Sequence, residues 1–167
     1  MAAIVAGAQT GTARWFFGTR ATTKITGEQS NGALAVLDFT CPAHFSPPPH
    51  VHRDEDELFY LLEGRLEGHC DGTPFAADAG SVVFLPRGLP HGYTVAGDGP
   101  ARVLVVVTAQ VRFDRLVARL GVDATGPGLP AETFLPGTEE LLAAHAELGY
   151  ELLGPPPGVA APAAATP

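Results

Sequence analysis

His50-Val51-His52-Arg53-Asp54-Glu55-Asp56-Glu57-Leu58-Phe59-Tyr60-Leu61-Leu62-Glu63-Gly64 is the stretch on which the reading of this chain turns. In an extended strand residues i and i+2 point to one face, so His50 and His52 project side by side. Two imidazoles about 7 Å apart at their backbones can converge on one metal ion with bonds of about 2 Å. Pro47-Pro48-Pro49 stiffens the approach by fixing φ at successive residues. The acids Asp54, Glu55, Asp56 and Glu57 are all candidates to join the two histidines. Glu57 opens the aromatic and branched run Leu58 to Leu62, where a strand can hold it rigidly. Asp54 and Asp56 fall in a polar turn, 53–56, that is most simply solvated, and Glu55 is the fallback. With Glu57 facing inward, Phe59 and Leu61 share its face by the period of two.

A second cluster follows at Gly80, Pro86-Arg87-Gly88 and His91. Pro at the second turn position with Gly two residues later suits a type I turn. That turn presents His91 at the start of a strand, Gly92 to Val95, with Tyr93 and Val95 on the same face. A third imidazole from a neighbouring strand would complete a donor set of three nitrogens and one carboxylate, His50, His52, Glu57 and His91.

Working outward, Gly and Pro punctuate short apolar runs between residues 12 and 108. Ala33 to Thr40 alternates in part, and Ser81 to Leu85 stops at Pro86. Arg65 to Cys70 and Thr73 to Ala76 flank Asp71-Gly72, a strong hairpin signal because both turn positions want positive φ. Val103 to Val107 is continuously apolar, as expected of a strand covered on both faces. Many short strands at regular spacing indicate a sandwich or barrel. After Val111 the period changes. Phe113, Leu116, Val117 and Leu120 recur at three and four residues, which predicts a short helix ending at Gly121. A second helix is expected from Thr138 as N-cap, with Glu139 and Glu140 in its first turn and Leu141, Leu142 and Leu148 facing the strands. His44, His69 and His145 read as surface residues. From Gly154 the chain is Pro/Ala-rich without periodicity. This gives one domain over 1–153, strands over about 12–110, a helical extension over 111–153 and a tail over 154–167.

The chain has 167 residues, 46% of them apolar, enough for one sizeable core and too many for a disordered chain. Ten basic residues against eighteen acidic ones give a net charge of −8, which argues against nucleic acid or an anionic membrane as partner. No apolar run approaches the roughly 20 residues that cross a bilayer, and Met1 to Gly7 lacks the basic start of a secretion signal. Two cysteines, Cys41 and Cys70, without secretory context are expected to stay reduced. The expectation is a cytoplasmic protein with a small-molecule substrate.

The residues quoted above add up to a family resemblance. His-x-His, four residues, Glu, six residues, Gly (50, 52, 57, 64) resembles the first cupin motif. Gly, five residues, Pro-x-Gly, two residues, His (80, 86, 88, 91) resembles the second. The resemblance implies an all-β fold, a cupin jelly-roll β-barrel with the metal inside, here with a short helical C-terminal extension. It also implies a homodimer. Two departures show: His44 stands where the first motif has glycine, and Val95 where the second has asparagine. The run Glu57-Leu58-Phe59-Tyr60 and a helix after the strands are similar to the quercetin-dioxygenase-like monocupins.

Three imidazoles and one carboxylate suit one divalent transition metal ion per chain, Fe, Mn, Ni, Co, Cu or Zn, with room for a further ligand. The resemblance implies a dioxygenase acting on a small aromatic or polyphenolic enol, with Glu57 as the catalytic base. Phe59, Leu61, Tyr93 and Val95 are the candidate substrate pocket. The alternatives are an oxygen-independent, metal-dependent cyclase or isomerase of an enolisable substrate, and a non-catalytic small-ligand-binding cupin.

Overall fold

A computed structural model describes residues 3–108 and 110–154. The predicted tail, 154–167, therefore lies outside the described residues except for Gly154. The strands are β1 (Thr12–Phe16), β2 (Thr19–Ile25), β3 (Leu34–Cys41), β4 (His50–His52), β5 (Asp56–Glu63), β6 (Arg65–Cys70), β7 (Thr73–Asp78), β8 (Val82–Leu85), β9 (His91–Val95) and β10 (Ala101–Thr108). After them come α1 (Phe113–Leu120), β11 (Val122–Asp123), α2 (Thr138–Leu148) and β12 (Tyr150–Leu152). They form two antiparallel sheets, one ordered β11-β1-β2-β3-β10-β5-β8 and the other β12-β4-β9-β6-β7.

The Asp71-Gly72 hairpin forms as the sequence predicts. Both residues take positive φ, +48° and +74°, and β6 and β7 pair in register from Cys70↔Thr73 to Arg65↔Asp78. After β7 the chain crosses sheets, so β8 pairs with β5 rather than with its neighbour in sequence. That crossing leaves β7 and β8 on the edges of different sheets. The implied barrel is therefore not closed: a barrel needs an unbroken ladder around its circumference, and this molecule is a jelly-roll sandwich of two open sheets.

Side chains of both inner faces meet in one core, in which Leu37, Leu61, Leu66, Val95, Val103 and Val107 are buried. Each such side chain contributes roughly 1.5–3 kcal/mol by leaving water. β10 lies in the middle of the large sheet, but only one of its faces is fully covered. Val103, Val105 and Val107 are buried, and the residues between them are half-buried, so coverage on both faces does not hold. The turn before β9 closes from Leu89 N–H to the Pro86 carbonyl, with Gly88 third at φ +77°, which is type II geometry instead of type I. Gly64 ends β5 at φ +81°, and a Cβ there would stand 2.7 Å from the Pro100 carbonyl oxygen, so only glycine fits.

The helix Phe113–Leu120 matches its predicted span, buries Leu116, Val117 and Leu120, and leaves through Gly121 in extended conformation. α2 takes Gly137 as N-cap, with Thr138 already inside the helix and no side-chain cap bond. Leu141 and Leu148 pack on the core, whereas Leu142 is 53% exposed, because residue 142 falls outside the stripe that residues 141, 144, 145 and 148 present to the core. β12 then adds itself to the edge of β4, Tyr150 opposite His52 and Leu152 opposite His50.

Candidate metal centre

His50 and His52 project from β4, His91 starts β9 directly opposite His50, and Glu57 reaches across from β5 of the other sheet. The cluster thus sits between the sheets, and the donor atoms of His50, His52, Glu57 and His91 all lie within 4.8 Å of one another. Asp56, next to Glu57, accepts hydrogen bonds from the Arg87 backbone and guanidinium, tying the 86–89 turn to β5 and so placing His91. That pairing holds the Asp56 carboxyl at about 2.

The hydrogen bonds around the rings fix their orientation. Carbonyl oxygens only accept, so His50 Nδ1–H donates to Pro48 O at 2.8 Å and His91 Nδ1–H donates to Leu89 O at 3.0 Å. The Nε2 atoms of both rings are then free to face inward. His50 Nε2 lies 3.0 Å from His52 Nε2, and His91 Nε2 lies 3.5 Å from Glu57 Oε2. Among the described residues, His52 Nδ1 and His91 Nε2 are buried polar atoms without a hydrogen-bond partner. Buried nitrogens are rarely left so, and for His91 Nε2 a cation between the four donors would supply the missing partner.

Burial and the neighbouring His91 push His50 down to about 3, and burial with the other two rings pushes His52 well below its usual range. Both are neutral at pH 7, the state in which imidazole ligates a metal. Burial disfavours a charge on His91 too, but Glu57 beside it outweighs that and raises it. The donor set therefore fits a divalent transition metal ion.

His50, His52 and Glu57 of the cluster line a cavity of about 70 Å³. Phe59 and Tyr93, both expected from the sequence, line it, their rings edge-to-face at 5.3 Å. Leu61 and Val95 lie on the expected strand faces but deeper, in the core, and do not line the cavity. A larger groove of about 710 Å³ opens elsewhere beside β1, β2 and α1 and contains none of the four donors.

Tyr150 and His145 were not read from the sequence as part of the site, and Glu55, the fallback ligand among the four acids, is found outside the donor cluster. Glu55 is 2% exposed rather than solvated, because the Arg112 and Phe113 N–H groups and the Tyr150 hydroxyl all donate to it. Burial pushes its carboxyl up against the pull of those three bonds. Its only signal in sequence was its place among the four acids. His145, expected on the surface, is buried and lines the cavity with Tyr150. Both come from the C-terminal extension, where nothing local marks them. His44 and His69 are exposed as expected, and His44 takes φ +61°, the conformation for which glycine would be suited. Cys41 and Cys70 are free thiols, and burial pushes Cys41 up to about 12. Among the described residues no helix is long and apolar enough to cross a membrane.

Comparison with known proteins agrees with this geometry. The family model for the cupin domain matches residues 38–107. Germin-like protein 1-1 of Oryza sativa subsp. japonica is 32% identical over 90 residues, 51% of this chain and 41% of that protein. Quercetin 2,3-dioxygenase of Bacillus subtilis (strain 168) is 31% identical over 81 residues, 48% of this chain and 24% of that one. The chain thus spans less than half the length of these relatives. The crystal structure of a predicted oxalate decarboxylase from Thermotoga maritima superposes with a TM-score of 0.56 at 23% identity, covering 63% of this chain and 98% of that one, which is a likeness of fold.

Proposed function

We propose that this chain, whose residues 38–107 match the family model for the cupin domain, is a metal-dependent dioxygenase of a compact aromatic enol. The observation that carries the reading is a buried three-histidine, one-glutamate cluster opening onto an aromatic cavity. A metal ion held there would supply Lewis acidity, lowering the pKa of a substrate enol and favouring its enolate. Glu57 is placed to receive the enol proton, since it is the one carboxylate that both joins the donor cluster and lines the cavity. Phe59, Tyr93, Phe45 and Phe113 line the cavity and would pack on the ring of the substrate and keep water from its enolate. A cavity of about 70 Å³ is well below the roughly 300 Å³ and more that house drug-sized ligands, which favours a single-ring enol over a three-ring flavonol.

A second reading is an oxygen-independent isomerase or cyclase of an enolisable substrate. His145 favours it, because burial pushes this cavity-lining imidazole down and keeps it neutral, able to pass on a proton that Glu57 has taken from another carbon. An oxygen electrode decides between them, using metal-loaded protein and a panel of single-ring enols. The dioxygenase reading expects O2 uptake that disappears in His52→Ala. Turnover that continues without oxygen selects the isomerase or cyclase. No turnover under either condition, with ligand affinity unchanged in His52→Ala, leaves a non-catalytic binding protein.

A further inference from the structure

The three imidazoles of the centre are not supported alike. His50 and His91 each give their Nδ1 proton to a backbone carbonyl, of Pro48 and Leu89, whereas His52 Nδ1 is buried without a hydrogen-bond partner. The group beside it is Glu55, whose Oε2 is 3.9 Å away, with the two side chains 1% and 3% exposed. Glu55 is itself held from three sides. Tyr150 donates to Oε2, and the backbone N–H groups of Arg112 and Phe113, at the start of α1, donate to Oε1. The Tyr150 ring also packs edge-on against His52, with centroids 4.7 Å apart. All three donors come from the segment after the matched family domain, which ends at residue 107.

A ring that binds a metal through Nε2 must carry its proton on Nδ1, and a buried N–H needs an acceptor. Without a cation, the 3.0 Å contact between His50 Nε2 and His52 Nε2 needs a proton between them, and the His50 ring keeps its own on Nδ1 for Pro48. His52 therefore holds its proton on Nε2 in the metal-free protein and must move it to Nδ1 when a cation enters. Glu55 Oε2, 3.9 Å away, is the acceptor beside that nitrogen and would have to close on it by less than about 1 Å to take the proton in that state.

We propose that Glu55 is a positioning residue for the metal centre: anchored by Tyr150 and the first turn of α1, it accepts the Nδ1 proton of His52 and so makes the C-terminal extension part of the centre. The proposal rests on the metal-binding reading given above. It gives a role at the centre to a carboxylate buried beside the one histidine ligand that lacks a carbonyl partner.

The test uses full-length protein as wild type, Glu55→Gln and Tyr150→Phe. Zn(II) affinity is measured by competition with a chromophoric chelator, and the protonation of His52 by nitrogen NMR of labelled histidines, with and without Zn(II). The expected result is a loss of Zn(II) affinity of about 10- to 100-fold in Glu55→Gln and a smaller loss in Tyr150→Phe. Zn(II) should shift the His52 proton from Nε2 to Nδ1 in wild type, with a weakened Nδ1 hydrogen bond in both variants. Should Glu55→Gln fail to fold, the same two readouts on Tyr150→Phe decide the matter. Affinities within twofold of wild type in the folded variants, even with a lowered Tm of the metal-free protein, overturn the proposal and make Glu55 a structural residue only. A wild type that binds no Zn(II) sinks the metal reading instead, so the two failures are distinguishable.

Discussion

β4 and β12 lie side by side, His52 opposite Tyr150, yet they build the same cavity in different ways. β4 supplies two of the four donors, and their arrangement follows from a spacing of two residues on one strand. β12 supplies no donor. Its Tyr150 walls the cavity and anchors Glu55, a residue 95 positions earlier in the chain. The difference teaches where chemistry and setting come from in this fold. Which atoms can meet a metal is a local matter of strand parity, whereas how those atoms are held and how small the cavity becomes depend on a distant segment docking on the sheet edge.

The largest test of that division is Leu61→Ala. Leu61 is 1% exposed, on β5 with Glu57 but in the core rather than on the cavity wall. Truncation should cost about 2–5 kcal/mol of stability, read by denaturant unfolding of the metal-free protein. The number of metal ions bound per folded chain should stay the same, and loss of binding in the folded variant would show that core and site are not separable.

Acid probes both regions together. His50 and His52 on β4 and His145 on α2 are all pushed below their usual value, so the unfolded chain takes up protons before the folded one does. Their contribution to stability is complete above about pH 6.5 and is lost as pH falls toward the folded values. His91 runs the other way, its contribution complete below about pH 6.5 and lost as pH rises through its raised folded value. Below pH 6.5 the three lowered histidines are opposed only by Glu55, whose raised carboxyl gains protons in the folded state first, and they predict a Tm of the metal-free protein that falls as pH is lowered from 6.5. A flat Tm between pH 6.5 and 4.5 would contradict the burial of these rings.

The smallest effect is expected at Leu142→Ser. This side chain faces water on α2, so stability should change by less than about 0.5 kcal/mol by thermal unfolding. A loss of several times that would mean that this face of the helix is covered in solution.

The legibility of the sequence follows the same line. The donor set, the Asp71-Gly72 hairpin and the span of α1 rest on short spacings, and each is found in the structure as read. Parity also placed Phe59 and Tyr93 on the cavity wall, but it could not say how deep along a strand the cavity runs, and so it included Leu61 and Val95. Open sheets in place of a barrel depend on whether β7 and β8 pair, a long-range matter on which local alternation is silent. Glu55 looked solvated because its three donors lie more than fifty residues away. His145 looked exposed because a lone imidazole on a weakly patterned helix carries no mark of what the helix will pack against.

The central claim is that His50, His52, Glu57 and His91 hold one metal ion between the two sheets. Elemental analysis of the purified protein beside its His52→Ala variant tests it most directly, after both have been reconstituted with the same divalent ion and desalted. The account predicts about one ion per chain in wild type and a loss of most of it in the variant, since removing a ligand costs more than the roughly 10- to 100-fold of a supporting residue. No ion in either protein, or equal occupancy in both, would contradict it.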